Sequence, residues 1–336
     1  MRVFIAGHRG FFGSVLHQAA REAGHDVDGV DAGYFDPTTS APRRDIRDLT
    51  PEDLAGFDAV VNLAAVCNDA CGELSVSATT AVNEVAAVRV ARIARAAGAR
   101  WYVLASSCSV YGGCGDSEVD ESSPVSPMTA YAASKIAAER SIAAMAGDSF
   151  APVFLRLATL FGTSPSFRSD LLPNRIAGTA MRLGRIQVNG AGKLWRPLLH
   201  VRDAAQAVLR VLGADPAVVA GQVYNVGATA QNYRVIDVVD MAHELFPSAV
   251  VTHVPDLDRR SYAVRFEKFA ATFEGWRPRE SVWDGLVEVA TFFDSWSEAA
   301  GGSSWGASDR RDRLLELLST GAIDEGFRWK ADTLSP

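Results

Sequence analysis

The sequence predicts an α/β fold in which a doubly wound parallel sheet carries a smaller C-terminal lobe. Short runs of Val, Leu and Ile without polar alternation recur through the first 160 residues, and alanine-rich helical stretches separate them. Beyond residue 160 this rhythm loosens. Apolar strands that do not alternate are buried on both faces, and strands alternating with helices are typical of a parallel sheet covered by helices. The 336 residues are enough to bury a large core.

The elements follow in chain order. We expect strands at Val3–Ala6, Asp26–Val30, Ala59–Leu63, Trp101–Ala105 and Val153–Leu157, and helices at Phe12–Ala23, Ala81–Ala97 and Tyr131–Ala146. The later part predicts helices at Leu172–Gly184, Asp203–Leu212 and Val235–Leu245, and strands at Ile186–Val188, Gln222–Val226 and Val250–Val254. A Gly/Ser-rich linker at Ala299–Ala307 precedes an amphipathic helix at Asp309–Ser319, whose docking partner the sequence does not decide.

These elements divide the chain into three parts. Residues 1–165 are predicted to form the sheet domain, which residues 197–228 rejoin. Residues 166–196 and 229–298 are predicted to form the smaller, substrate-binding lobe, and residues 299–336 the linker and C-terminal helix.

Composition excludes several classes of function. The net charge of −7 and the absence of a basic cluster argue against nucleic-acid binding. No apolar run is long enough to span a membrane, and no signal peptide is evident, so a cytoplasmic protein is expected. The four cysteines lack the spacing of a zinc site, which predicts free thiols and no metal.

The glycines after the first predicted strand indicate a phosphate-binding turn. In such a turn the first glycine permits the tight bend, the second lets the backbone approach a pyrophosphate, and the third lets helix and strand pack closely. The following helix N-terminus offers free N–H groups to the phosphates. Residues 1–165 are therefore predicted to be a Rossmann-type dinucleotide-binding domain. Its turn, GHRGFFG, supplies the predicted cofactor contacts Gly7, Arg9, Gly10, Phe11, Phe12 and Gly13.

Asp31 favours NAD over NADP as the dinucleotide. It ends the second strand, where a carboxylate accepts hydrogen bonds from ribose hydroxyls and repels a 2′-phosphate. Arg9 and the pair Arg43–Arg44 leave NADP open, because arginines near this pocket could hold that phosphate. Asp45 and Ile46 are expected to hold the adenine. Close approach of the cofactor to the third strand is expected at Leu63, Ala64 and Ala65.

Tyr131 and Lys135 are the leading catalytic candidates. They stand four positions apart in YAASK at the start of a predicted helix, so they project from one face. A lysine cation beside a tyrosine is expected to lower the pKa of the phenol and make it a usable base. Ser107, at the end of the neighbouring strand, is placed to hydrogen-bond the same substrate oxygen.

These residues together resemble the extended short-chain dehydrogenase/reductase superfamily, in particular its nucleotide-sugar epimerases and dehydratases. The resemblance runs from residue 2 to about residue 295 and rests on GHRGFFG, NLAA, SSCSVYG, YAASK, WRPLLHVRD, YNVG and DRRSYAV. It implies that Ser107, Tyr131 and Lys135 are catalytic, and that Tyr131 takes a proton from a sugar hydroxyl while hydride passes to the nicotinamide. Lys135 would also bind the nicotinamide ribose. The implied substrate is a nucleotide-diphosphate sugar, and the implied assembly is a homodimer.

The resemblance also implies substrate contacts. Asn174, in DLLPN, matches the asparagine that contacts the nucleotide diphosphate. Arg196 and Arg260 match arginines near that diphosphate, and guanidinium groups suit phosphate oxygens.

The two residues after Ser107 bear on the reaction. In related 4,6-dehydratases they are Asp and Glu, whereas here they are Cys108 and Ser109, whose ordinary pKa values lie well above neutrality. Related decarboxylases usually keep the Glu. GDP-fucose synthase uses a cysteine to move protons, but at the position of Ser109. Cys108 therefore stands as a candidate acid/base beside its interpretation as a small buried filler. Asp69, in the loop after the third strand, is a second candidate.

The sequence thus predicts an NAD-dependent nucleotide-sugar epimerase that acts through a transient 4-keto sugar. Two alternatives stay open: a 4-ketoreductase that uses an external reduced cofactor, and a non-standard dehydratase. A third is a cofactor-sensing protein without catalysis, against which the intact set Ser107, Tyr131 and Lys135 argues.

Overall fold

The fold was analysed in a computed structural model, which describes residues 1–35, 42–255, 258, 260–299 and 309–330. The strands are β1 Arg2–Ala6, β2 Asp26–Val30, β3 Ala59–Asn62, β4 Trp101–Ser107, β5 Gly113–Val119, β6 Ala151–Leu157, β7 Thr159–Phe161, β8 Arg185–Asn189, β9 Trp195–His200, β10 Val223–Val226, β11 Asn232–Arg234, β12 Val250–Val254 and β13 Ser261–Val264. The helices are α1 Phe11–Glu22, α2 Asp69–Gly72, α3 Val76–Thr80, α4 Ala87–Ala96, α5 Ala130–Ala143, α6 Leu172–Leu183, α7 Val201–Leu212, α8 Pro216–Val219, α9 Val235–Leu245, α10 Glu267–Thr272, α11 Val282–Ala299 and α12 Arg310–Ser319. A π-helical stretch, Ala81–Ala86, leads directly into α4.

The central sheet confirms the predicted doubly wound α/β fold. Its six strands run parallel in the order β10-β6-β4-β3-β1-β2. β2 lies on one side of β1, and β3, the next strand along the chain, lies on the other side. At the carboxyl ends of β1 and β3, the Leu63 N–H donates to the Ala6 carbonyl across 2.9 Å. Ligands of such sheets bind where the strand order reverses, outside the carboxyl ends of the strands. The carboxyl ends of β1 and β3 are that place here.

The smaller sheets account for most of what the sequence did not predict. β9 pairs with β7 and β11, β8 pairs with β12, and β5 pairs with β13. β10 joins the main sheet beside β6, but β9 lies in the small three-stranded sheet, so residues 197–200 do not follow the rest of the segment 197–228 into the main sheet. The predicted linker falls outside the described residues except for Ala299, which ends α11.

Hydrophobic residues fill both faces of the main sheet. Leu16 of α1 and Val208 of α7 belong to one buried cluster, and Val90 of α4 belongs to the other. Leu314 and Leu317 of α12 pack in the cluster that contains Val90. The C-terminal helix therefore docks on the body of the same chain, which settles a question the sequence left open. Within the described residues, no helix combines the length and apolarity that crossing a bilayer requires.

Glu288 of α11 ties the lobe to the segment before α7. Its carboxylate lies 2.9 Å from Nε2 of the buried His200 and accepts bonds from Arg202 Nη2 (2.7 Å) and the Thr163 N–H (2.9 Å). Burial opposes ionisation, but the hydrogen bonds of His200, Thr163 and Arg202 lower the pKa of Glu288 to about 2 from an ordinary 4.5. His200, fully buried and held by this carboxylate, is thus a structural residue.

Candidate active site

The carboxyl ends of β1, β3 and β4 open into one cavity of about 660 Å³. Every residue predicted to bind the cofactor lines it, as do Ser107, Asp69, Arg196 and Arg260. Cys108 and Asn174 do not line it. The cavity therefore brings together residues from the dinucleotide turn, the Tyr/Lys helix and the C-terminal lobe.

Two of the three glycines of the turn, Gly7 and Gly13, leave no room for a side chain. Gly7 has φ +86°, and a Cβ there would lie 2.9 Å from the backbone nitrogen of Ala64. A Cβ on Gly13 would lie 1.9 Å from the Gly7 carbonyl oxygen, so the approach of α1 to β1 requires glycine. Gly10 precedes α1 without a side-chain cap, which leaves N–H groups of the first turn free for an anion. A Cβ on Gly10 would have only the Gly7 oxygen within 4 Å, at 3.3 Å. The rest of its surroundings is open space next to the turn. These features fit the pyrophosphate of a dinucleotide.

Asp31 and its surroundings fit an unphosphorylated adenosine ribose. The carboxylate lines the cavity and accepts hydrogen bonds from the N–H groups of Gly33 (2.8 Å) and Arg9 (3.1 Å). The arginines that kept NADP open are engaged with the protein. Arg9 Nη2 donates to the carbonyls of Asp31 and Pro42, and Arg44 pairs with Asp53 at 2.8 Å.

Asp45 and Ile46 lie on the cavity wall where the adenine was predicted. The Asp45 carboxylate is already engaged, because it caps a 3₁₀ turn and pairs with the Arg47 guanidinium at 2.5 Å. Ile46 is buried and supplies apolar surface. We therefore expect Ile46 to contact the adenine ring, and Asp45 to hold the loop that carries Ile46.

Ser107, Tyr131 and Lys135 converge as predicted. Ser107 ends β4, while α5 begins behind the side-chain cap of Thr129 and carries the other two residues one turn apart. Ser107 and Tyr131 both line the cavity, and the Ser107 side chain opposes the rise in the pKa of the Tyr131 phenol. Lys135 Nζ donates to the Ala105 carbonyl across 2.8 Å and lies 5.6 Å from the centre of the Tyr131 ring.

The predicted lowering of the Tyr131 pKa by Lys135 is wrong for this arrangement. Burial raises the pKa of Tyr131 and the neighbouring Cys67 adds to this, which outweighs the opposing effects of Arg168 and the Ser107 hydrogen bond. Burial also lowers the pKa of Lys135 to about 8. The phenol and the ammonium therefore sit in an apolar setting that disfavours both charged forms.

A buried ion pair fixes α5 against the sheet behind these residues. Arg156 of β6 and Glu139 of α5 approach to 2.8 Å (Nη2 to Oε2), and the Ser106 hydroxyl also donates to Glu139. Arg156 Nη1 donates to the Tyr111 hydroxyl across 3.0 Å. The network lies one residue from Ser107 in β4 and one helical turn from Lys135, so it positions both.

Cys108 is turned away from the cavity, which contradicts its candidacy as an acid/base group. It is 1% exposed, its thiol donates to the Arg156 carbonyl (S to O, 3.2 Å), and burial raises its pKa. A thiol outside the cavity cannot exchange protons with a sugar, so the filler interpretation holds. Ser109, for which no role was predicted, lines the cavity instead, and its buried hydroxyl has no hydrogen-bond partner among the described residues.

Asp69 and the two predicted phosphate-binding arginines form one cluster on the lobe side of the cavity. Asp69 pairs with Arg260 Nη1 and accepts a hydrogen bond from the Thr129 hydroxyl. Arg260 also binds Asp258 through Nε (2.8 Å) and Nη2 (2.6 Å), and Arg196 Nη2 donates to the same carboxylate across 2.8 Å. The pairing holds both guanidinium groups at the cavity wall.

The structure does not place Asn174 as a substrate contact. It is fully buried; Oδ1 accepts the Gly162 N–H (2.9 Å), and Nδ2 donates to the carbonyls of Gly162 (2.9 Å) and Arg168 (3.0 Å). Both ends of the amide are thus used to hold the loop before α6. The match to the family position identified the residue but not the direction of its side chain.

Two groups of cavity residues were missed from the sequence. Arg168 and Asp170 form an ion pair at 2.5 Å in the loop before α6. Arg310 and Phe327 reach the cavity from the C-terminal segment. Only the amphipathic pattern at residues 309–319 pointed to that segment, and it carried no information on where the helix docks.

A dinucleotide turn where the strand order reverses, facing a Ser/Tyr/Lys set on the next strand and helix, defines an extended short-chain dehydrogenase/reductase enzyme. Residues 3–227 match the model of the NAD dependent epimerase/dehydratase family, and the chain belongs to that family. The predicted cofactor, NAD, is thereby confirmed.

Curated relatives of similar length include both reaction types. A UDP-glucose 4-epimerase of Mycolicibacterium smegmatis is 28% identical over 89% of this chain and 100% of its own length. A dTDP-glucose 4,6-dehydratase of Streptomyces niveus is 26% identical over 87% of this chain and 93% of its own length. Among solved structures, MoeE5 in complex with UDP-glucose and NAD is 26% identical, with a TM-score of 0.77 over 88% of this chain and 99% of MoeE5.

Proposed function

We propose that this protein is an NAD-dependent nucleotide-sugar 4-epimerase that acts through a transient 4-keto sugar. One observation carries the proposal. The hydroxyls of Ser107 and Tyr131 line the same cavity, while Cys108 and Ser109 supply no carboxylate for removing the C5 proton. The 4-epimerase relative and the MoeE5 complex with UDP-glucose support this substrate class.

The chain's own groups suffice for proton transfer at the 4-hydroxyl. When bound, NAD supplies the reversible hydride acceptor for C4. Tyr131 acts in its phenolate form, which burial disfavours and the Lys135 ammonium must stabilise: the phenolate takes the hydroxyl proton and later returns it, and Ser107 hydrogen-bonds the same oxygen. With a pKa of about 8, Lys135 is mostly protonated at neutral pH and stabilises the negative charge on the Tyr131 oxygen during transfer.

Arg196 and Arg260 are the proposed contacts of the substrate diphosphate. Both line the cavity, and Asp258 holds both guanidinium groups in place. Ordered guanidinium groups lose less side-chain entropy on binding a phosphate. Asn174 then contributes indirectly, by holding the loop before α6.

Dehydration is the second candidate, and Asp69 is the observation that favours it. Asp69 lines the same cavity as Tyr131, and the sequence named it as a candidate acid/base group. Its ion pair with Arg260 and its bond from Thr129 oppose this role, because a base must be free to accept a proton.

Turnover of UDP-, GDP-, dTDP- and CDP-sugars in D₂O, followed by NMR, separates the candidates. A 4-epimerase inverts C4 without deuterium at C4 or C5 and without added reductant. Deuterium at C5 or loss of water indicates dehydration, and dependence on added NADH or NADPH indicates a ketoreductase. Tyr131→Phe should abolish the reaction, whereas Cys108→Ala should retain it. Unchanged turnover in Tyr131→Phe would refute the mechanism.

We also propose the homodimer that the resemblance implied. Val85, in the π-helical stretch before α4, is 59% exposed, and Arg89 of α4 and Arg140 of α5 are also exposed. An exposed apolar side chain beside two arginines suits a helical interface with a polar rim. Light scattering on the purified protein measures the assembly, and a monomeric mass would refute it.

A further inference from the structure

Residues 309–330, here called the C-terminal strap, lie across the adenosine side of the cavity. Trp329 Nε1 donates to the Ala32 carbonyl across 2.6 Å, directly after Asp31. The Tyr34 hydroxyl donates to the Phe327 carbonyl, and Arg47 Nη1 donates to the Gly326 carbonyl across 2.7 Å. Phe327 and Leu314 line the cavity from this side. The strap therefore forms a wall next to the predicted ribose and adenine contacts.

Arg310, the first residue of α12, is a buried cation in this wall. Its residue exposure is 2%, and its guanidinium stacks over the Phe35 ring at 4.1 Å. Nη2 donates to the carbonyl (2.8 Å) and hydroxyl (2.7 Å) of Ser166, and no carboxylate of the described residues forms an ion pair with it. Burial lowers the pKa of Arg310 to about 10. A desolvated cation at the positive end of a helix is costly unless an anion joins it.

The location of Arg310 identifies the anion. Ser166, which binds it, follows Ser164 in a loop whose Ser164 hydroxyl lies 2.9 Å from the Ser14 hydroxyl in the first turn of α1. Arg310 is thus linked, through the loop of Ser164 and Ser166, to the first turn of the helix that the glycine turn prepares for a pyrophosphate. Its ring partner, Phe35, lies shortly after the ribose contact Asp31. The arginines proposed for the substrate diphosphate, in contrast, are paired with Asp258 on the lobe side.

We propose that Arg310 binds the pyrophosphate of NAD and that the C-terminal strap encloses the adenosine half of the cofactor. This wall comes from a segment outside the family-matched residues 3–227. The inference rests on NAD as the cofactor and not on the reaction at C4. A charge-assisted bond to phosphate offsets the cost of burying the guanidinium.

Calorimetric titration of the apoprotein with adenosine, ADP, NAD and UDP tests the role of Arg310. Arg310→Gln removes the charge at similar size and should weaken ADP and NAD about 10- to 100-fold, with adenosine and UDP unchanged. Arg210→Gln, at an exposed arginine ending α7, is the matched control and should change none of the four. Unchanged NAD affinity, a loss for UDP instead, or an equal loss for adenosine would overturn the assignment.

Thermal unfolding separates a binding role from a structural one. If the attraction of Asp170 and Asp31, without an ion pair, leaves the buried Arg310 cation only partly compensated in the apoprotein, Arg310→Gln should leave the apoprotein Tm unchanged or raise it, while reducing the rise in Tm caused by NAD. A structural role predicts the reverse, namely a lower apoprotein Tm with the NAD-induced rise intact. Neither measurement uses turnover, so failure of the 4-epimerase proposal and failure of this one are distinguishable.

Trp329→Ala tests the enclosure. The substitution removes the bond to Ala32 and the stacking of the Arg43 guanidinium, which lies 3.8 Å from the ring centre. We expect NAD to dissociate about tenfold faster, measured by stopped-flow displacement with excess ADP-ribose. An unchanged dissociation rate would show that the strap does not enclose the cofactor.

Discussion

The ion pair between Glu139 and Arg156 is predicted to couple the stability of the fold to the placement of Ser107 and Lys135, the proposed catalytic residues next to it. Both side chains are nearly fully buried, at 5% and 8% exposure, and Arg156 Nη2 lies 2.8 Å from Glu139 Oε2. Arg156 Nε adds contacts of 3.2 and 3.3 Å to the two carboxylate oxygens. Glu139→Gln keeps the shape of the side chain but removes its charge. The Arg156 cation is then left buried without compensation.

The magnitude follows from this geometry. Breaking a buried pair on one side costs about 3–5 kcal/mol, because desolvation of the remaining charge is no longer offset. Replacing both partners, as Arg156→Met with Glu139→Leu, removes both charges together and leaves mainly the hydroxyls of Ser106 and Tyr111 with one partner fewer. Those losses cost about 1–3 kcal/mol each at most. The double variant should therefore be more stable than the sum of the single variants predicts.

Urea unfolding, followed by circular dichroism with the m-value monitored, measures these free energies. The control is Asp26→Asn, which breaks an exposed pair with Arg2 (3.3 Å; 50% and 74% exposed) and should cost less than about 1 kcal/mol. Loss of less than about 1 kcal/mol in Glu139→Gln would refute the reasoning. So would a double variant whose loss equals the sum of the single losses.

Three further predictions concern the turn, the loop and the acid range. Gly13→Ala forces a Cβ to within 1.9 Å of a backbone oxygen, so it should lower the free energy of unfolding by about 1–3 kcal/mol or more. Gly10→Ala should fold normally but bind NAD more weakly, as measured by calorimetry. Equal stability of the two variants would contradict this reasoning. Cys108→Ala should cost about 1 kcal/mol in stability and retain turnover, and native Cys108 should not react with a thiol reagent before unfolding; lost turnover in a folded variant would restore its catalytic role. The carboxylate of Glu288 is favoured in the folded state, so its stabilisation is complete above pH 4.5 and is lost as the pH falls towards about 2. In Glu288→Gln, Tm should fall less steeply over that range, and an unchanged slope would show that this carboxylate is not responsible.

Local patterns were enough to predict the main sheet and the dinucleotide turn. Buried parallel strands are recognisable in the sequence as unbroken apolar runs. The glycine spacing follows from contacts within a few residues of Gly7. β5 was not predicted, because its sequence, GCGDSEV, is mostly exposed and polar and its partner strand β13 lies far along the chain. Such a pair is held by its tertiary context and not by its own pattern.

The candidate site could be predicted where the position of a residue in its strand or helix determines the direction of its side chain. Cys108 differs from the family's residues at the two positions after Ser107, and the structure places Ser107 and Ser109, but not Cys108, on the cavity, because the chain leaves β4 at Ser107 and enters a 3₁₀ helix at residues 108–111. The pKa of Tyr131 was mispredicted because the sequence shows a lysine four residues away but not the burial of the phenol. Arg310 was missed because its position depends on how α12 docks, which no local pattern encodes.

The contact between Trp329 and Ala32 joins positions separated by 297 residues. The contacts of the docked strap must offset the conformational entropy lost when this segment is ordered on the body of the protein. A ligand that binds only the docked form of the strap shifts the equilibrium between the docked and undocked forms by mass action, in proportion to the ligand concentration. Proteolytic sensitivity of residues 309–330 should therefore report how much of the protein carries dinucleotide.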